Sequence, residues 1–310
     1  MFIDELIERI IKTKNHSIVG IDLHEGIIPQ SVRDKNYNPN VSRIESITET
    51  MFQFSKEIIN SIYDIVPAIK PQIAFFERYG SHGFKAFEKI CKYAMNKALI
   101  VLADVKRSDI GSTAAAYSDY YLGTDFSSLS VDAITINPYF GEDSLIPFVD
   151  NCIKNNKGLF VLVKTSNKSS GDLQNRVCEG KKIYETVSEL VTKQGMACIG
   201  KYGYSSIGAV VGATHKEDGE NIRKLMKSTY FLVPGYGAQG GKASDLGGFF
   251  NEDGLGSIIN SSRGIIGAYM LDKYKGKFDE DSYALAAREA VIDMRDDINK
   301  ILEAAGKIAW

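Results

Sequence analysis

The sequence predicts an α/β fold, a (β/α)8 (TIM) barrel, and three observations predict it. Eight short apolar runs, rich in Val, Ile, Leu and Ala, begin near residues 17, 68, 98, 132, 159, 207, 230 and 257. Helical patterns separate most of them, and parallel strands need such crossovers. The chain has 310 residues, enough for a barrel of roughly 250 residues. An open doubly wound sheet shares the alternation, but no G-x-G-x-x-G follows the first strand.

The elements follow in order. Ile3, Leu6, Ile7, Ile10 and Ile11 recur at helical spacing and form one apolar face. SIVGID (17–22) reads as a buried strand ending in an acid. A helix over about 43–63 leads to AIKPQ (68–72), and a helix carrying Phe84, Phe87, Ile90 and Cys91 leads to ALIVLADVK (98–106). The Ala- and Tyr-rich segment 112–123 precedes DAITINP (132–138), and a helix near 142–155 precedes LFVLVKTS (159–166). Helices near 180–199 and 217–227 precede IGAVVGAT (207–214) and YFLVPGYG (230–237). SIINSSRG (257–264) is followed by a helical region from about 282 to 305. The barrel core thus spans about 17–270 of a single 1–310 domain. The surplus length falls in the N-terminal helix and the irregular 23–40 and 238–256 stretches.

Composition excludes several classes. With 37 Lys+Arg against 39 Asp+Glu, the chain lacks the positive excess of a nucleic-acid binder. No apolar run reaches the ~18 residues of a membrane span. The N-terminus carries acids inside its apolar pattern and is not a signal peptide. Cys91, Cys152, Cys178 and Cys198 show no paired spacing and read as reduced thiols of a cytoplasmic protein. The histidines (His16, His24, His82, His215) lie away from any Cys cluster, so no metal site is expected. Trp310 is terminal and carries no assignment, and Tyr117, Tyr120 and Tyr121 read as packing or interface residues.

Polar chemistry collects where the strands end. These ends carry Asp22, Lys70, Asp104 with Lys106, Thr135 with Asn137, Lys164 to Asn167, Pro234 to Gly241, and Ser261 to Gly264. In a barrel they converge on one pocket. Asp104 and Lys106 are two apart on a strand and face the same side. With Lys70 and Asp109 they form a charge network, which by spacing alone reads equally as a structural salt-bridge cluster. GYGAQGG (235–241) can curl its N–H groups toward an anion, and Arg263 offers a planar fork for phosphate oxygens. The loops after the seventh and eighth strands are a common phosphate site in barrels.

The set VGID, AIKPQIAFFERYG, LADVKRSDIGSTAAAY, TINPYFG, VKTSN, VPGYGAQGG and NSSRG resembles the orotidine 5′-phosphate decarboxylases, in particular their longer bacterial type (the type 2 subfamily). The likeness runs from about residue 17 to 267, and D-x-K-x-x-D-I-x-x-T is met in full by Asp104, Lys106, Asp109, Ile110 and Thr113. It implies cofactor-independent conversion of orotidine 5′-monophosphate to UMP and CO2, the last step of de novo UMP synthesis, without metal. It also implies a homodimer in which Asp109, Ile110 and Thr113 reach the partner's site. By the same resemblance Lys106 protonates C6, and Asp104 lies beside the departing carboxylate. Asp22 and Lys70 contact ribose hydroxyls, and Ser166 binds the pyrimidine. Gln239 and Arg263 hold the phosphate, with Pro234, Gly235 and Ser262 alongside. Magnesium-using relatives in the superfamily carry an acid where this chain has Lys70. Ser108, Lys168 and Leu23 depart from the usual Gly, Pro and Pro, and none of these removes a catalytic group.

Overall fold

A computed structural model describes residues 1–125, 129–214, 216–237 and 241–310. Eight parallel strands close a barrel: β1 (Ser17–Ile21), β2 (Ala68–Pro71), β3 (Ile100–Arg107), β4 (Ala133–Ile136), β5 (Gly158–Lys164), β6 (Ser205–Val211), β7 (Thr229–Val233) and β8 (Ser257–Ser261). Neighbours in sequence are neighbours in the barrel, and β8 closes on β1 by pairing Ile259 with Ser17 and Ser261 with Val19. All eight strands coincide with the apolar runs read from the sequence.

Strand alternation sorts side chains into two cores. Ile18, Ala68, Ile100, Leu102, Ala133, Phe160, Leu232 and Ile258 fill the barrel interior. Val19, Ile21, Ile69, Val101, Ile134, Val161 and Val233 pack outward against the helices. The N-terminal helix Phe2–Thr13 plugs the bottom, burying Phe2, Ile3, Leu6, Ile7 and Ile10 in the interior core. Phe2 meets Phe160 edge-on at 6.5 Å. Gly158 makes room for it, because a Cβ there would lie 2.1 Å from the Phe2 ring. With the bottom sealed, only the carboxyl ends of the strands remain open.

The helix Arg43–Ile62 begins on a reciprocal cap. Glu45 N–H donates to Ser42 Oγ (3.2 Å), and Ser42 N–H donates to Glu45 Oε2 (2.8 Å). The 23–40 stretch, expected to be irregular, contains a helix at Gln30–Asn36. Its support is tertiary: Gln30 N–H donates to Glu280 Oε2 at 3.2 Å. A small antiparallel pair, Val177–Cys178 with Lys181–Lys182, has only two residues per strand, too few for an alternating pattern to mark it. Trp310, which carried no assignment, joins the barrel-bottom core and lies 5.4 Å from the ring of buried His16. Among the described residues no helix is long and apolar enough to cross a membrane.

Candidate active site

The inward register of β2 and β3 places two charges at the mouth. Ala68 faces the interior, so Lys70 does too; Ile100 and Leu102 face it, so Asp104 does too. Lys70 Nζ donates to Asp104 Oδ2 at 2.7 Å and lies 3.8 Å from Asp22 Oδ1. Beyond Asp104 the strand breaks register with β4 between Ala103 and Arg107, and Lys106 takes a left-handed φ of +45°. Thr135 Oγ1 accepts the N–H groups of both Val105 (3.1 Å) and Lys106 (3.0 Å), pairing the amides that this irregularity frees. The turn points the Lys106 ammonium back at Asp104 Oδ1, 2.5 Å away.

Asp104 thereby accepts four hydrogen bonds. Lys70 and Gln72 (3.0 Å) donate to Oδ2, while Lys106 and Thr135 (2.8 Å) donate to Oδ1. Burial pushes its pKa up, but the two ammoniums outweigh burial and hold the carboxyl well below the usual range. Burial likewise works against charged Lys70, yet Asp104 and Asp22 overcome it and raise its pKa. Lys70 is almost wholly buried, whereas the Lys106 side chain keeps 45% exposure and opens onto the cavity. The result is a charged row, Asp22–Lys70–Asp104–Lys106, ending in an accessible ammonium.

The cavity above this row measures about 420 Å³. All eight strand ends line it, β5 through Thr165, Ser166 and Asn167 and β7 through Pro234, Gly235 and Tyr236. From β8 come Asn260, Ser261, Ser262 and Arg263. Gly235 sits at φ +103° and Gly237 at φ +72°, conformations that favour glycine. Gly20 is needed for close approach, since a Cβ there would fall 2.7 Å from Ser262 Cβ. Asp22 Oδ1, Asn260 Oδ1 and Ser262 Oγ, on residues that line the cavity, are buried with no hydrogen-bond partner among the described residues. Arg263 is exposed toward the same space. Two larger surface hollows, about 620 and 680 Å³, are lined by lysines and acids of mixed sign and receive no strand-end cluster.

The cavity thus brings together Asp22, Lys70, Asp104, Lys106, Ser166, Pro234, Gly235, Ser262 and Arg263. Gln239 lies outside the described residues. Asp109, Ile110 and Thr113 do not line the cavity; Asp109 Oδ1 accepts the Ile110 N–H at 2.8 Å, and Ile110 is exposed. Lys164, expected at the pocket, turns away from it toward the helices Ile183–Gly195 and Lys216–Leu225. Pairing of β5 with β6 shifts between Leu162 and Lys164, which breaks the simple alternation. Gln72 and Thr135 carried no assigned role, though each holds Asp104. Their signal was the inward parity they share with Lys70 and Asp104.

Residues 18–273 match the model of the orotidine 5′-phosphate decarboxylase / HUMPS family. The chain belongs to that family. Relatives named orotidine 5′-phosphate decarboxylase include one from Caldicellulosiruptor saccharolyticus, 44% identical over 288 residues, covering 91% of this chain and 94% of the relative. Another, from Rhodopirellula baltica, is 41% identical and covers 96% and 98%. The family is one of enzymes, and these relatives carry the name of a carboxy-lyase. The solved structure of Leishmania donovani OMP decarboxylase superposes with a TM-score of 0.73 at 29% identity, covering 97% of this chain and 98% of that one. The Leishmania donovani UMP synthase structure gives 0.74 at 30% identity, and there the match covers 56% of the longer chain.

Proposed function

We propose that the protein converts orotidine 5′-monophosphate to UMP and CO2, closing UMP biosynthesis, and that Lys106 supplies the proton. One observation carries this reading: an accessible ammonium fixed at 2.5 Å from a buried, charged carboxylate, inside the cavity that Arg263 also lines. The C6–carboxylate bond breaks, its electron pair stays on C6, and the Lys106 proton moves to C6; solvent then reprotonates Lys106. The developing negative charge at C6 meets an ammonium already in position, which is electrostatic stabilisation with little reorganisation. Asp104 sits beside the substrate carboxylate and holds the Lys106 side chain in place through its hydrogen bond. No organic cofactor or metal is assigned a role, because these side chains provide both the charge and the proton.

The other lining residues divide the substrate. Asp22 and Lys70 take the ribose hydroxyls, and Ser166 takes the pyrimidine. Arg263 and Gln239 hold the phosphate, with the Pro234–Gly235 backbone and Ser262. Phosphate binding lies remote from C6 and serves the chemistry if closure of the 238–256 loop couples the two.

The protein acts as a homodimer with Asp109 and Thr113 entering the partner's cavity. The exposed Ile110, Tyr117, Tyr139 and Phe140 support this, as does the absence of Asp109 from its own cavity. The whole 1–310 chain serves as one catalytic domain. Four free thiols support a cytoplasmic setting.

The test is the absorbance change of orotidine 5′-monophosphate in excess chelator. Turnover unaffected by chelation supports the reading. Activity lost with chelator and restored by Mg²⁺ assigns the protein to a metal-using branch instead.

A further inference from the structure

Among the described residues Lys164 is the one lysine whose side chain is fully buried yet lies outside the active-site cavity. A buried cation costs several kcal/mol unless it is paired and hydrogen-bonded. Its Nζ donates to Asn175 Oδ1 at 2.6 Å and lies 3.5 Å from Asp218 Oδ2. Asp218 is held in turn by the Tyr184 hydroxyl, 3.2 Å away.

Asn175 closes the loop that starts immediately after Lys164. That loop is cross-braced: Thr165 N–H donates to Gln174 Oε1 at 3.0 Å, and Gln174 Nε2 donates to Thr165 Oγ1 at 2.8 Å. Its cavity-facing residue, Ser166, is also set from outside. Thr214 Oγ1 donates to the Ser166 carbonyl at 3.0 Å, and a Cβ on Gly212 would lie 2.8 Å from Ser166 Cα.

We propose that Lys164 is a positioning residue: its buried ammonium, tied to Asn175 and Asp218, fixes the 165–175 loop so that Ser166 presents itself to the base of the bound nucleotide. This rests on the decarboxylase reading, which assigns the base to Ser166. The ammonium needs Asn175 and Asp218 together, so loop closure and cation burial stand or fall as one unit. Among the described residues, the side-chain bonds of Lys164, Asn175 and Asp218 run to one another and to Tyr184 and Lys182, not to the β7 and β8 ends that build the phosphate side of the cavity.

The experiment is calorimetric titration of the full chain with UMP and, separately, with ribose 5-phosphate, which lacks the base. Loss of one or two such anchoring bonds should weaken UMP binding by about tenfold in Lys164→Met and about threefold in Asn175→Ala. Ribose 5-phosphate binding should stay within about twofold in both. Asn175→Asp restores an acceptor for Lys164 and should bind UMP as the wild type does. Should Lys164→Met fail to fold, Asn175 is exposed and its two variants carry the test. Unchanged UMP affinity in Asn175→Ala, or equal weakening of both ligands, overturns the proposal. Turnover of orotidine 5′-monophosphate by the wild type is measured alongside. Its absence removes the decarboxylase reading and this inference with it, whereas its presence with unaltered variants removes the inference alone.

Discussion

Replacing Lys106 with Met separates chemistry from stability. The ion pair to Asp104 is short, at 2.5 Å, but the lysine side chain keeps 45% exposure. Solvent screens such a pair, so its loss should cost about 1 kcal/mol or less. Asp104 also keeps three other donors, Lys70, Gln72 and Thr135, so no buried carboxylate is orphaned. For a chain of this size a loss of that order moves Tm by no more than about 4 °C. The rate is another matter. On the proposed mechanism the variant lacks both the proton donor, worth about 10²–10⁴, and the pre-placed positive charge at C6, worth about 10²–10³. We expect kcat to fall by at least about 10⁴-fold, with UMP still bound. Absorbance of orotidine 5′-monophosphate gives the rate, and thermal denaturation gives the stability. A kcat within about tenfold of wild type in a folded variant would refute the assignment of Lys106 as proton donor.

Further outcomes are expected. On the proposed reading Arg263→Met removes a charge-assisted contact to phosphate and should lower kcat/KM by about 10–100-fold; an unchanged kcat/KM would take Arg263 out of the phosphate site. The proposed shared-site dimer predicts that Lys106→Ala and Asp109→Ala are each inactive alone and that mixing them recovers about a quarter of wild-type activity after subunit exchange, since half the dimers would then carry one intact site; no recovery speaks against a shared site. Burial lowers the pKa of His16 from 6.5 to about 4, against a weak contribution from the Ser257 carbonyl that raises it. The unfolded chain protonates first as pH falls through 6.5, so stability is full above that value and declines toward pH 4. Denaturant titrations should show a loss of about 2 kcal/mol between pH 7 and 5 that is absent in His16→Gln; parallel curves for the two proteins would exclude His16 as the source.

Much of the fold was legible because barrel strands bear a local signature. Each strand is apolar on both faces and is followed by a helical period, which short windows of sequence reveal. The candidate site was legible from the polar residues that end each apolar run: they were expected to meet in one pocket, and the cavity does bring Asp22, Lys70, Asp104 and Lys106 together. Strand alternation does not extend past a shift of register. Lys164 was expected in the pocket, but the shift of register between β5 and β6 turns it toward the outer helices. Arg223 gave no signal at all, since its guanidinium is buried among the backbone carbonyls of Met226, Thr229, Phe249 and Gly256. Backbone carbonyls are present at every residue and leave no mark in a sequence.

The sequence by itself determined the strands, the crossover helices, the gathering of polar residues at the strand ends, and the family. Those properties depend on residue type and spacing within a few turns of chain. Only the tertiary structure decided that Gln72 and Thr135 complete the Asp104 clamp, and that Asp109 stays out of its own cavity. It alone decided that Trp310 covers His16, and that Lys164 braces a loop instead of facing a ligand. Each of these depends on where chain segments far apart in sequence come to rest, which strand stagger and loop closure set and local periodicity does not encode.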